Sequence, residues 1–249
     1  MKSSEAGPLS VAGGRIVRMT DSTAIAAYWD AAAACFDDEP DHGLRPRPTR
    51  DAWSRLLTSW LPTTPADVLD VGCGTGSLSA LTAAAGHRVT GVDLSSRMVD
   101  RARGKLRAAG LPGRFLVGDA AAPPVGEERF DVVLCRHLVW TLPDPSAALR
   151  AWAALLRPGG TLVLVEGRWR EAADGAVPYV DGAEALPWHG GVTAAALADA
   201  VRPLAGRIRV EDLAPRTELW GAAVRDERYA LIAELPAAGE SPAGPPTGS

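Results

Sequence analysis

The chain has 249 residues, 47% of them hydrophobic and 22% charged, which suits one globular α/β domain with additions. Its 26 basic and 30 acidic residues give a formal net charge of −4, which argues against a broad basic face for nucleic acid or anionic lipid. Three cysteines (Cys35, Cys73, Cys135) without zinc-site spacing, no apolar leader and no run long enough to span a bilayer predict a reduced, soluble, cytoplasmic protein.

Residues 1–20 are small and polar, and the composition predicts partial disorder. Residues 21–62 are expected to form a helical cap that carries Tyr28, Trp29 and the acidic run 36–43 with His42. From 63 to 235 short apolar runs alternate with helical periodicity, the mark of βαβ units. Strands are expected at 66–71, 87–93, 114–119, 129–135 and 160–167, near-continuously apolar as in a parallel sheet covered on both faces. A helix over 77–85 stops at Gly86, and Ser95 caps a second with Met98, Ala102 and Leu106 on one stripe, ended by Gly110. Asp144 and Pro145 open a third, whose buried stripe is Leu149, Trp152, Leu155 and Leu156, before the turn Pro158-Gly159-Gly160. Weaker strands at 207–213 and 222–234 add an antiparallel edge, 168–191 reads as a lid, and 236–249 as a disordered tail.

The strongest local signal is Val68-Leu69-Asp70-Val71-Gly72-Cys73-Gly74-Thr75-Gly76-Ser77, a buried strand running through a glycine turn into a helix. Glycines there let backbone approach a ligand, and the helix start offers free N–H groups. Asp93 ends the second strand about twenty residues on, where a carboxylate can accept both ribose hydroxyls of an adenosine. Asp119 ends the third and is placed to accept from an adenine amino group. Three acids at the carboxyl ends of three successive parallel strands form one crevice, the place where such sheets bind ligands.

Taken in order, DVGCGTGSL, GVDLS, GDA, FDVVLCRHLVWTL and LLRPGGTLVLVEG resemble the class I methyltransferases that use S-adenosylmethionine (SAM), over roughly residues 45–235. The resemblance implies a doubly wound, seven-stranded, mostly parallel sheet of order 3-2-1-4-5-7-6 with strand 7 antiparallel. It also implies that Asp70, Gly72, Gly74 and Gly76 line the methionine part of SAM, with Arg136 beside it. Asp93 would hold the ribose, Leu94 and Met98 would lie near the adenine, and Asp119 and Ala120 would touch its edge. Ser77 in place of the third glycine of G-x-G-x-x-G disfavours a dinucleotide.

Displacement at a sulfonium releases a neutral leaving group, so positioning and water exclusion carry most of the catalysis. A base matters where the acceptor must lose a proton. His42, His137 and His189 are the candidate bases, while His87 at a strand start reads as structural. Tyr28, Trp29, Trp140, Trp169, Tyr179 and Trp188 are the aromatic candidates for walling the acceptor. The acidic run 36–43 has no second cluster with ligand spacing, so no metal is expected. The expected activity is methylation of a small organic acceptor in specialised metabolism, with O, N, C and S left open and room for a homodimer. A SAM-binding fold that catalyses cyclisation and a non-catalytic partner protein are the rivals.

Overall fold

The computed structural model describes residues 10–12, 15–17, 22–168 and 180–239. Two short strands, β1 (Ser10–Ala12) and β2 (Arg15–Val17), pair as an antiparallel hairpin. The helices α1 (Ser22–Ala32), α2 (Pro40–Gly43) and α3 (Arg47–Trp60) follow, with a 3-10 turn at Phe36–Asp38. The alternating part then runs β3 (Asp67–Val71), α4 (Ser77–Ala84), β4 (Arg88–Asp93), α5 (Ser96–Ala108), β5 (Arg114–Val117), β6 (Phe130–Arg136), α6 (Pro145–Leu155) and β7 (Leu156–Arg168). It closes with α7 (Ala194–Val201), β8 (Arg207–Asp212), α8 (Thr217–Trp220) and β9 (Glu227–Glu234).

The sheet order is β5-β4-β3-β6-β7-β9-β8, parallel except for β9, which pairs antiparallel with both β7 and β8. This is the expected order and the expected antiparallel strand. The period-2 alternation of strand side chains divides the core into two faces. Leu69, Val71, Val133, Cys135, Leu162, Leu164, Tyr229 and Leu231 pack on one side with α6 and α7. Val68, Val132, Leu134, Val163, Val165, Ala230 and Ile232 pack on the other with α3 and α8. The chain reverses its winding direction between the adjacent strands β3 and β6, which opens a crevice at their carboxyl ends.

Local signals place the helix starts. Ser95 Oγ accepts the Met98 N–H at 3.1 Å, and Asp144 Oδ1 accepts that of Ala147 at 2.8 Å. Two expectations are corrected. Leu156 is not a helical residue: it begins β7 opposite Phe130, and 157–160 bulge out before pairing resumes at Val132–Thr161. The Pro-Gly-Gly segment is thus an irregularity within the strand pair, steadied by the Gly159 N–H on the Pro236 carbonyl at 3.0 Å. Nor does the N-terminal region act as cap throughout. Helix α3 buries Ala52, Trp53, Leu56, Leu57 and Trp60 in the sheet core, because its apolar positions recur on one helical face. The segment 22–43 is what reaches over the strand ends.

Candidate active site

The turn after β3 takes three left-handed glycines, Gly72, Gly74 and Gly76, with φ of +66°, +53° and +76°. At Gly76 a Cβ would stand 2.8 Å from the Ala102 Cβ, so α4 and α5 approach as closely as they do only because no side chain intervenes. At Gly72 a Cβ would meet the Leu138 side chain at 2.8 Å, which brings the post-β6 loop down onto the turn.

Asp70 is buried beneath this turn and accepts the Ser79 hydroxyl at 2.5 Å. Burial, and secondarily the negative charge of Asp93, pushes its pKa up to about 7. Asp93 is also buried, and burial raises its pKa while the backbone amides of Ser95, Gly74 and Leu94 oppose the rise. Its Oδ2 accepts the Gly74 N–H at 2.8 Å and its Oδ1 that of Ser95 at 2.9 Å, leaving about one lone pair on each oxygen. Leu94 is half-buried, and Met98 is buried under the start of α5. Asp119 is exposed at the end of β5 and caps its own turn through the Ala121 N–H. Buried Ala120 gives its carbonyl to the Trp152 indole at 2.6 Å. The three acids therefore close the ends of β3, β4 and β5, which are neighbours in the sheet.

Segment 22–43 is tied to this rim by three aspartates. Asp30 accepts from the Ser95 hydroxyl at 2.5 Å and the Arg97 N–H at 3.1 Å, at the N-terminus of α5. Asp37 accepts the Thr75 hydroxyl at 2.5 Å and pairs with Lys105 Nζ at 3.0 Å, while Lys105 also donates to Thr75 and Ser77. Asp41 receives Arg136, whose Nη2 reaches the Asp41 carbonyl at 2.5 Å and Oδ2 at 3.2 Å. Arg136 is desolvated, which lowers its pKa to about 10 against the pull of Asp41. Its guanidinium also lies 4.4 Å above the Trp53 ring, and that of Arg228 4.7 Å above Trp220.

Two of the three candidate bases meet here. His42 stacks on Phe36 with ring centroids 4.4 Å apart, and meets His137 edge-on at 6.4 Å. His137 in turn stacks on Trp220 at 6.2 Å. Burial lowers the pKa of His42, with Asp41 opposing it. Burial holds His137 well below the ordinary imidazole value, helped by the positive charge of Arg136 and Arg228. Both imidazoles are neutral at physiological pH and can accept a proton. His189 lies just before Gly191, which is bridged to Arg168 at the end of β7, and the adjacent Trp188 packs against the core cluster that also holds Val139. Its Nδ1 is buried without a hydrogen-bond partner.

Among the aromatic candidates, Trp29 meets Phe36 at 6.1 Å and Tyr28 meets Trp29 at 5.0 Å, Tyr28 being 40% exposed. The Trp140 indole donates to the His137 carbonyl at 3.0 Å. Trp169 and Tyr179 lie outside the described residues. Asp41, His42 and His137 each offer a ligand atom within 4.8 Å of one another, a grouping invisible to spacing because His137 comes from another strand end. The same Asp41 Oδ2 has Arg136 at 3.2 Å and Arg228 at 3.9 Å, so a divalent cation would have to enter against two guanidiniums. A cavity of about 480 Å³ opens at the opposite sheet edge, lined by Arg88, Arg114 and Arg157, which are paired with Asp67, Glu128 and Asp131. Its charges are satisfied, and it faces away from the glycine turn.

Sequence reasoning missed Asp30, Asp37, Lys105, Trp53, Trp220, Arg228 and Glu166. Glu166 had a visible signal, a lone acid closing the apolar run Leu162-Val163-Leu164-Val165.

A profile described as a methyltransferase domain matches residues 69–164, from within β3 to within β7. The ubiquinone biosynthesis O-methyltransferase of Xanthomonas axonopodis pv. citri is 38% identical over 140 residues, covering 55% of this chain and 54% of that protein. The chain thus spans about half the length of the curated relatives it matches. In fold, the chain matches a SAM-dependent methyltransferase of Methanosarcina mazei at a TM-score of 0.55 and 22% identity, over 73% of this chain and 97% of that one. The 4+2 cyclase SpnF matches at a TM-score of 0.60 and 24% identity, over 75% and 81%. The fold is that of the class I methyltransferases. Among the described residues no helix is long and apolar enough to cross a membrane.

Proposed function

We propose that the protein transfers a methyl group from SAM to an oxygen of a small organic acceptor, in a biosynthetic pathway of a reducing, cytoplasmic compartment. The carrying observation is the shared rim: glycine turn, Asp93 and Asp119 on one side, and the neutral pair His42 and His137 on the other. The residues present fit the cofactor, because the turn carries no Cβ at Gly72, Gly74 and Gly76 and Asp93 keeps a lone pair on each oxygen. Asp93 would hold the ribose, Leu94 and Met98 would flank the adenine, Asp119 and the Ala120 N–H would read its edge, and Asp70 and Arg136 would sit at the methionine end. When bound, SAM supplies a methyl group activated on a sulfonium. Tyr28, Trp29 and Trp140 would wall the acceptor beside the pair, and segment 22–43 would exclude water.

His42 would take the acceptor's hydroxyl proton at an imidazole nitrogen, with His137 beside it and Arg136 holding the Asp41 turn in place. An oxygen acceptor is supported by that neutral pair, since a hydroxyl must lose its proton, and by the O-methyltransferase name of the relatives. The free state of Cys35, Cys73 and Cys135 supports the reducing compartment. The test is incubation with SAM and a panel of phenols and catechols, with detection of S-adenosylhomocysteine and a mass gain of one methyl group. Absence of SAM binding by calorimetry at high micromolar ligand would sink the proposal. Product formation without S-adenosylhomocysteine would redirect it to a reaction such as cyclisation.

A further inference from the structure

Glu166 lies in β7, two residues before the strand ends at Arg168, at 0% exposure. A charge-bearing residue there is costly unless it satisfies something that an apolar side chain would leave unmet. Its Oε1 accepts two backbone amides, Leu138 at 2.8 Å and Val139 at 3.0 Å. Those are the two residues after His137, whose φ of +54° is left-handed although it bears a side chain. The rest of the turn is fastened as well: the His137 N–H donates to the Val165 carbonyl at 2.9 Å, and the Thr141 hydroxyl donates to Leu138 at 2.7 Å. Without an acceptor at position 166, the Leu138 and Val139 amides would be left with only the weakly accepting Cys135 sulfur beside them, and the left-handed turn would lose the bonds that offset its strain.

We propose that Glu166 is a positioning residue that fixes His137 beside His42 by accepting the Leu138 and Val139 amides. Its consequence for turnover rests on the reading of this site as a methyl-transfer pocket; the positioning itself does not. Burial lifts the carboxyl to about 8, so at neutral pH it is a neutral acid. Its Oε2 is buried and finds no hydrogen-bond partner, consistent with Oε1 being the oxygen that acts.

The experiment is residue-resolved amide hydrogen exchange by NMR on the full chain with Glu166→Gln and Glu166→Leu. Glutamine keeps a carbonyl acceptor, so exchange at 138 and 139 should stay within about threefold of the parent. Leucine should accelerate those two amides at least tenfold while the Leu162–Leu164 amides stay protected, and His137 should titrate closer to 6.5. Unchanged protection at 138 and 139 in a folded Glu166→Leu protein overturns the proposal, as does Glu166→Gln exchanging as fast as Glu166→Leu. Should leucine prevent folding, the parent protein decides: the 138 and 139 amide shifts should follow the Glu166 carboxyl resonance as it titrates, and independence overturns the assignment. Arg136, at about 10, and Cys135 and Tyr229, both pushed up by burial, keep their charge in that window. In turnover, Glu166→Leu should lower kcat at least tenfold with KM for SAM within threefold, and Glu166→Gln should restore it. Lost protection with unchanged turnover would keep Glu166 as the holder of the turn and remove His137 from the reaction.

Discussion

Replacing Asp93 with alanine tests the cofactor placement most directly. The carboxylate already accepts Gly74 at 2.8 Å and Ser95 at 2.9 Å, one on each oxygen, so two ribose hydroxyls have about one lone pair each to fill. Hydrogen bonds to a charged acceptor contribute about 1.5 kcal/mol or more each, so losing two weakens binding by roughly 3 kcal/mol, or about a hundredfold in Kd. Alanine also leaves two turn amides without their acceptor, which lowers stability by about 1–3 kcal/mol for each that stays dry. A thermal melt of the free protein therefore accompanies the binding measurement. Asp93→Asn keeps one carbonyl acceptor and removes the charge, and its affinity should fall between alanine and the parent. Isothermal titration with SAM and S-adenosylhomocysteine reads the effect. A folded Asp93→Ala protein that binds SAM within threefold of the parent refutes the placement of the ribose at Asp93.

His42→Asn should lower turnover on a hydroxyl acceptor at least a hundredfold while SAM affinity stays within threefold, because general-base assistance is lost without touching the glycine turn; full activity would dismiss His42 as the base. Gly76→Ala should cost about 1–3 kcal/mol of stability, since it combines a positive φ with a Cβ 2.8 Å from that of Ala102, and a Tm within 1 °C of the parent (about 0.3 kcal/mol or less at this size) would contradict the close helix approach. Burial raises Asp70 to about 7 and Glu166 to about 8, so between roughly pH 4 and those values the native state holds more protons than the unfolded chain. The stability these groups lend is complete below about pH 4 and is lost as pH rises through 7 and 8. Melts from about pH 5 to 9 should therefore show a smaller decline in Glu166→Gln than in the parent, and parallel curves would argue against a buried neutral acid.

The electrostatics of the site follow from its burial. Arg136 and Arg228 converge on one Asp41 oxygen, and Arg228 is further neutralised by Asp226 at 2.9 and 3.0 Å. The positive charge next to His137 is thereby paired but not removed, and it adds to burial, the larger cause, in holding the imidazole neutral. A base held neutral in this way is ready to accept a proton but binds it weakly, which suits a hydroxyl acceptor that is itself acidic, such as a phenol.

The amino-acid order by itself determined the strands, their sheet order through the family resemblance, and the acids at three strand ends. Those features are local: an apolar run, a glycine turn and the residue that follows each strand lie within a few positions of one another, so spacing carries them. Cap residues Ser95 and Asp144 were legible for the same reason. Tertiary structure alone decided that His42 and His137, 95 positions apart in the numbering, meet with ring centroids 6.4 Å apart. It also decided that Asp37 meets Thr75 and Lys105, that α3 is core and not cap, and that Glu166 holds the turn of another strand. Such contacts depend on how a non-periodic segment drapes over strand ends and on which strands are neighbours, and neither leaves a repeating pattern in sequence.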